Sequence, residues 1–377
     1  MAKIRVLMLG WEFPPLINGG LGVACEGLAN ALARKSELNL ILPGAGHAAP
    51  KSPFRIISTE HGIHSSGLQP YWDADPAEDL YRGDLEQKVM RYARQALEIS
   101  QKIPFDIIHA NDWMTAIAGL QIRKQSGKPL VFHVHSLSYD RAGPEEKGWI
   151  HHLEKRVIHE ADLVVAVSHY TRGICVGHYD ADPVQTTVIH NGISPVEAYR
   201  SPKPFADQLV VFLGRMTRQK GPMHFLEIAR EVLSRNPNVR FTMAGTGDQL
   251  DALMAGSVRL GIADRCHFTG FLGRKQIHDL LSMADVYCMP SLSEPFGLSA
   301  LEAAQFGVPC VISNQSGVAE ILPGAQTANA FDTRQMALAI LTQLEAGIAG
   351  QPLEIRSWEK AATDVLTQYE ILLSRPI

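Results

Sequence analysis

Short runs of consecutive apolar residues alternate along the chain with longer stretches in which apolar side chains recur every three or four positions. In the first half the short runs are Ile4–Leu9, Leu38–Leu42, Ile107–His109, Leu130–His135 and Leu163–Val167, and the longer stretches are Leu21–Arg34, Leu85–Ile103, Trp113–Gln125 and Glu145–Glu160. The first set predicts strands and the second helices. The alternation resumes with strand candidates Gln208–Leu213, Val239–Ala244, Cys266–Thr269 and Val286–Met289, and helix candidates His224–Arg235, Gln249–Leu260 and Lys275–Ser282. Strands apolar on both faces, separated by amphipathic helices, predict parallel sheets covered on each side: an α/β chain of two doubly wound domains. Between them, Ser194-Pro195 to Ser201-Pro202-Lys203-Pro204 is Pro-rich and weakly patterned, which predicts a linker at 196–207. It separates residues 1–195 from residues 208–356, and Trp358–Leu373 predicts a long helix within 357–377.

Composition narrows the class. A chain of 377 residues suits two cores better than one. With 46% hydrophobic and 20% charged residues it is globular. No apolar run approaches the ~18–20 residues that cross a bilayer, so no stable membrane insertion is expected. Met1 to Gly10 reads as a first strand and not a signal peptide, its apolar run being short and without a small-residue cleavage site. Cys25, Cys175, Cys266, Cys288 and Cys310 are scattered without metal-ligand spacing, a pattern of reduced thiols that predicts a cytoplasmic protein. The net charge of −4 divides evenly, with 19 Lys+Arg against 21 Asp+Glu in residues 1–195 and 16 against 18 beyond. No basic stripe stands out, which argues against nucleic acid as a partner.

The most informative run is Ser293-Glu294-Pro295-Phe296-Gly297-Leu298-Ser299-Ala300-Leu301-Glu302-Ala303. It follows the strand candidate ending at Met289, and Leu298 to Phe306 reads as a helix stopped by Gly307. Glu294 then lies in the loop and Glu302 about two turns into the helix, no more than ~12 Å apart. The unpaired N–H groups at the helix start suit a ligand with hydroxyls and phosphate. The same run also reads as an ordinary helix start with one buried and one solvated glutamate. Arg215 and Lys220 follow the strand ending near Gly214, at the positive end of a helix, where cations are out of place unless an anion lies there. Gly19-Gly20-Leu21-Gly22 precedes a helix, and its glycines permit close approach of backbone to phosphate. It is no dinucleotide fingerprint, since no G-x-G-x-x-G directly follows the first strand. His135 ends a strand candidate, and His133 points to the same face. Asp73-Ala74-Asp75 and Asp180-Ala181-Asp182 spell D-x-D, but neither follows a convincing core strand, so both read as loop carboxylates and no metal is expected.

Glu294 to Glu302 resembles the E-x7-E motif of retaining glycosyltransferases of the GT-B fold, especially glycosyltransferase family 4. Trp11-Glu12-Phe13-Pro14-Pro15 with Gly19-Gly20-Leu21-Gly22 resembles the N-terminal donor-side loop of that family and of glycogen and starch synthases. His109-Ala110-Asn111-Asp112-Trp113, Val131-Phe132-His133-Val134-His135-Ser136, Val188-Ile189-His190-Asn191-Gly192-Ile193 and Gly214-Arg215-Met216-Thr217-Arg218-Gln219-Lys220-Gly221 are similar to further segments, in the family's order. The resemblance implies two Rossmann-like domains facing a cleft, with the last helix crossing back to the first domain. It implies metal-independent transfer of a hexose, of glucose type, from a nucleoside diphosphate sugar to an acceptor hydroxyl, with no cofactor. Arg215 and Lys220 would meet the diphosphate, Glu294 and His135 the transferred sugar, and Glu302 the ribose. Gly19, Gly20, Gly22, Gly247, Phe271, Leu272 and the amides of Phe296, Gly297, Leu298 and Ser299 would complete the donor site, with Asp112 on the acceptor side. Asp112 also reads as a helix cap, and Asn191-Gly192 as a turn between domains.

Relatives that glycosylate membrane lipids often carry a basic N-terminal half. This chain does not, which favours a small soluble acceptor. Glucan synthases of the family carry Lys-Thr before the Gly-Gly pair where this chain has Ile17-Asn18. That departure counts against a strict glycogen synthase, leaving α-glucan synthesis as the second reading. A sugar-nucleotide epimerase and a non-catalytic paralogue are further alternatives, although Glu294, Glu302, Arg215, Lys220 and His135 are all present. No segment resembles the lysine site of a pyridoxal-phosphate phosphorylase.

Overall fold

The computed structural model of the protein describes residues 3–17, 19–43, 52–59, 84–347 and 356–374. They form two compact units. The first comprises described residues up to Tyr139, Gly143–Ser194 and Arg356 onward, and the second Asp140–Ala142 and the described residues from Pro195.

The first unit is built on seven parallel strands: β1 (Arg5–Leu9), β2 (Glu37–Leu42), β3 (Arg55–Ser58), β4 (Ile107–Asn111), β5 (Leu130–Val134), β6 (Leu163–Ala166) and β7 (Thr186–Val188). Their order is β3-β2-β1-β4-β5-β6-β7. Every residue of β4 and β5 is buried, as a strand covered on both faces requires. The helices between the strands are α1 (Gly20–Ala33), α2 (Leu85–Ser100), α3 (Asp112–Ser126), α4 (Ser138–Ala142, of which Asp140–Ala142 count with the second unit), α5 (Trp149–Glu160) and α6 (His169–Tyr179). Asp84 caps α2 by accepting from the Gln87 amide, Ser168 caps α6 by accepting from the Thr171 amide, and left-handed Gly127 ends α3.

The second unit carries six parallel strands: β8 (Gln208–Leu213), β9 (Val239–Ala244), β10 (Cys266–Gly270), β11 (Val286–Met289), β12 (Cys310–Ser313) and β13 (Gln326–Ala328), in the order β10-β9-β8-β11-β12-β13. Its helices are α7 (Pro222–Leu233), α8 (Leu250–Arg259), α9 (Arg274–Met283), α10 (Leu298–Gln305) and α11 (Thr333–Ala346). Residues 195–207 lie along this unit: the Val196 amide donates to the Gln305 side chain, and Tyr199 bonds Asp279. The last helix, α12 (Trp358–Ser374), belongs to the first unit and packs on α1. The fit is close, since a Cβ at Gly27 would lie 2.1 Å from the Trp358 indole.

Several element bounds differ from the sequence expectation. β5 ends at Val134, so His135 is the first residue beyond it, and β4 runs on to Asn111. α5 begins at Trp149, four residues later than Glu145, and α2 stops at Ser100 short of Ile103. α4, α6, α11, β3, β7, β12 and β13 have no counterpart in the periodicity reading. The last four are strands of three or four residues, too short for a period to register. Among the described residues no helix is long and apolar enough to cross a membrane.

Candidate active site

In each sheet the strand order reverses once, between β1 and β4 in the first and between β8 and β11 in the second. At such a switch point the loops leaving the two neighbouring strands diverge and open a crevice at their carboxyl ends, where open α/β sheets bind ligands.

In the second unit, Gly214–Gly221 leaves β8 and Pro290–Gly297 leaves β11. Gly221 lets them meet: at φ +65, a Cβ there would lie 2.0 Å from the Pro290 carbonyl oxygen. Two hydrogen bonds lace the loops, from the Leu292 amide to the Gln219 carbonyl (2.8 Å) and from Gln219 Nε2 to the Ser293 carbonyl (3.0 Å). Lys220 Nζ is thereby set 2.5 Å from Glu294 Oε2, to which Ser291 Oγ also donates at 3.2 Å. The pair is well shielded, with the Glu294 side chain 7% and that of Lys220 21% exposed. The Glu294 backbone bridges to Ser316 in the loop after β12, donating to the Gln315 carbonyl and accepting from the Gly317 amide. Arg215 is exposed, and its guanidinium makes no hydrogen bond or ion pair among the described residues.

Gly297, at φ +108, turns the chain into α10, with its Cα packed so closely on Met289 and Val318 that a Cβ would come within 2.9 and 3.0 Å of them. The amides of Leu298 and Ser299 open the first turn and have no acceptor inside the helix. Ser299 Oγ lies 2.7 Å from the hydroxyl of buried Tyr287 on β11. The buried Phe296 accepts the Val318 amide on its carbonyl. Glu302 lies four residues into α10, little more than one turn along it and not two, and has no hydrogen-bond or ion-pair partner among the described residues. Burial pushes its carboxyl up to about 7, opposed by the charge of Arg274. Gly245-Thr246-Gly247 follows β9 and is tied to the β8 loop by the Met216 amide, which donates to the Thr246 carbonyl. Beyond β10, Phe271 is 69% exposed and Leu272 half-buried.

In the first unit, Gly19 precedes α1, and Gly20 and Gly22 sit in its first turn. A Cβ at Gly20 would meet open space, whereas one at Gly22 would meet Ile17 at 2.9 Å. Asp112 opens α3 after β4 in left-handed backbone, φ 57. Its carboxylate reaches across to the neighbouring strand's loop: Oδ1 accepts the amides of His135 (2.6 Å) and Ser136 (3.1 Å), fixing the loop after β5. His135 Nε2 is 3.1 Å from Asn111 Oδ1, and Asn111 Nδ2 donates to the Leu9 carbonyl. Burial lowers His135 to about 3 and His109 to about 4, so both rings are neutral. Asn191-Gly192 packs on the start of α12, where a Cβ at Gly192 would meet the Ser357 backbone at 2.3 Å. Asp180 pairs with Lys155 and Asp182 accepts the Val184 amide, both as surface loop carboxylates. Asp73 and Asp75 lie outside the described residues.

A model of the Glyco_transf_4 family, "Glycosyltransferase Family 4", matches residues 18–197, and one of "Glycosyl transferases group 1" matches residues 195–347. The chain belongs to the family 4, group 1 glycosyltransferases. An uncharacterised glycosyltransferase of Methanocaldococcus jannaschii is 29% identical over 85% of this chain and 83% of its own length. Glycogen synthase of Mycobacterium tuberculosis is 26% identical over 92% and 88%. Among solved structures, sucrose-phosphate synthase of Thermosynechococcus elongatus superposes with a TM-score of 0.77 at 20% identity, covering 99% of this chain and all of that one. Anabaena HepE in complex with UDP and glucose superposes with a TM-score of 0.73 at 19% identity over 97% and 99%. Both likenesses identify the fold as GT-B, two Rossmann-like domains.

The sequence reading of this glycosyltransferase overlooked the residues that hold others in place. Asn111, Ser291, Gln219 and Tyr287 were not singled out, although each bonds directly to a candidate residue or its loop. A signal existed for Asn111: His109 and Asn111 are two apart on one strand, and His133 and His135 are two apart at the end of the next strand and just beyond it.

Proposed function

We infer that this glycosyltransferase moves a hexose from a nucleoside diphosphate sugar to a hydroxyl of a small soluble acceptor, with retention and without a metal ion. The observation that carries this reading is the β8–β11 switch point, where the Lys220–Glu294 pair, unpaired Arg215 and the first turn of α10 lie together. As the bond to the sugar breaks, negative charge grows on the departing diphosphate. Fixed cations and helix amides stabilise that charge more in the transition state than in the ground state. Arg215 has no partner to leave. Lys220 would exchange part of its contact with Glu294 for phosphate oxygen, freeing Glu294 to accept from a sugar hydroxyl. Glu302 would accept from the ribose, and the amides of Gly297, Leu298 and Ser299 would donate to sugar and phosphate. Gly19, Gly20, Gly22, Gly247, Phe271 and Leu272 would border the donor. His135 Nδ1 would contact the transferred sugar, and Asp112, by fixing the His135 and Ser136 amides, would shape the acceptor side.

The likeness to HepE, whose structure holds UDP and glucose, supports a glucose-type donor. The test is thermal stabilisation by a panel of uridine, adenosine and guanosine diphosphate hexoses. A ligand selective for the native state raises the melting midpoint by mass action. One donor should stand out, and no stabilisation by any would contradict the reading. α-Glucan synthesis is the second reading, favoured by the 26% identity to glycogen synthase over most of both chains. With the selected donor, incorporation into glucan primer but into no small hydroxyl compound would establish it.

A further inference from the structure

Tyr369 lies on α12, but its hydroxyl reaches His109 in the middle of β4. It is 2.6 Å from His109 Nδ1, and His109 Nε2 is 3.2 Å from His133 Nδ1. His133 is 1% exposed, and its Nε2 has no hydrogen-bond partner. Its ring stacks on His135, with centroids 4.3 Å apart and planes at 27°. A neutral imidazole carries one N–H and one bare nitrogen, so the chain of three can run in two directions. If Tyr369 donates to His109 and His109 to His133, a single group is left unpaired, the His133 Nε2–H. If the direction reverses, the Tyr369 hydrogen and the bare His133 Nε2 are both unpaired. Buried polar groups without partners are costly, which selects the first direction. Burial also raises the Tyr369 phenol well above its usual range and keeps its proton in place.

His135 has the complementary arrangement. Asn111 donates through Nδ2 to the Leu9 carbonyl and therefore turns Oδ1 to His135 Nε2, which must carry the hydrogen. His135 Nδ1 is then a bare acceptor, and it too is buried without a partner. A hydroxyl both donates and accepts, so an N–H on one ring and a bare nitrogen on the ring stacked against it form a matched pair for a single hydroxyl. We propose that Tyr369 is a positioning residue that sets the imidazole protons of His109 and His133, so that His133 and His135 together take one hydroxyl of a sugar substrate. The hydroxyl half rests on the glycosyl-transfer reading above; the proton assignment does not.

The experiment is nitrogen-15 imidazole spectroscopy of the full chain at neutral pH, assigned with His109→Asn, His133→Asn and His135→Asn. In the wild type His133 and His135 should both be protonated at Nε2. In Tyr369→Phe the two directions leave equal numbers of unpaired groups, so His133 should shift to a mixture of tautomers, an effect that a purely structural tyrosine would not produce. A wild-type His133 protonated at Nδ1, or His133 shifts unchanged in Tyr369→Phe, overturns the proposal. If Tyr369→Phe does not fold, the wild-type tautomers decide alone. For the hydroxyl, one monodeoxy analogue of the bound hexose should bind about tenfold more weakly to the wild type, and the penalty should shrink in Tyr369→Phe. A penalty of equal size in both proteins removes the hydroxyl role and leaves the proton assignment. Expected tautomers with no nucleotide sugar bound would count against glycosyl transfer instead.

Discussion

Among the cations that follow β8, the structure treats Lys220 and Arg215 differently. Lys220 is shielded and paired with Glu294, whereas Arg215 is exposed and unpaired. Replacing either by alanine should lower kcat by about two orders of magnitude or more, the scale of losing a fixed charge on a transition state. The melting behaviour should separate them. Lys220→Ala leaves the Glu294 carboxylate with Ser291 as its remaining side-chain donor, and should reduce stability by about 1–3 kcal/mol. Arg215→Ala should leave the melting midpoint unchanged. The glutamates should divide as well: Glu294→Gln mainly lowers kcat, and Glu302→Gln mainly raises the donor KM. Glu302 adds a pH signature. Burial raises its carboxyl from the ordinary 4.5 to about 7, so the stability linked to its neutral form is present below about 4.5 and lost as pH rises through about 7. Ribose hydroxyls would favour the ionised form and pull that value down. Donor binding between about pH 6 and 8 should therefore release protons, and KM should rise as the pH falls below about 7. Calorimetry in buffers of different ionisation enthalpy measures the release, which Glu302→Gln should abolish.

At the scale of elements, two glycines at helix starts give opposite expectations. Gly221→Ala requires a side chain at φ +65 and 2.0 Å from a carbonyl oxygen, so it should destabilise the second unit and displace Lys220. Gly20→Ala meets nothing within 4 Å and should leave the melting midpoint within about a degree of wild type. Both positions look alike in sequence, because periodicity locates elements but does not show what lies across the fold from a turn. The same limit explains what was legible. The buried strands β1, β2, β5, β8 and β9 stand out as apolar runs, and the residues flanking them carried the candidate chemistry. Short β3, β7, β12 and β13 offer too few residues for a period. α6 starts His169-Tyr170-Thr171-Arg172-Gly173, whose polar residues and glycine blur an apolar stripe. Tyr369 and His109 are 260 positions apart, and nothing local in either segment announces their bond.

At the scale of the molecule, each unit repeats one scheme, a parallel sheet with a single reversal of strand order and loops gathered at its carboxyl ends. The last helix completes the first of them. Trp358 is buried against Gly27 of α1, and Trp358→Ala should cost about 3–5 kcal/mol, read as a lower urea midpoint by circular dichroism. On the proposed reading Arg215, Lys220 and helix amides would supply the positive field, so turnover should survive EDTA. The decisive measurement is proton NMR of the glycoside formed from the best-stabilising nucleoside diphosphate hexose with EDTA present, reading the anomeric coupling of the new linkage. An α-configured product from an α-configured donor is the expected result. An inverted product, or no turnover until magnesium or manganese is restored, would contradict a retaining reaction driven by these residues.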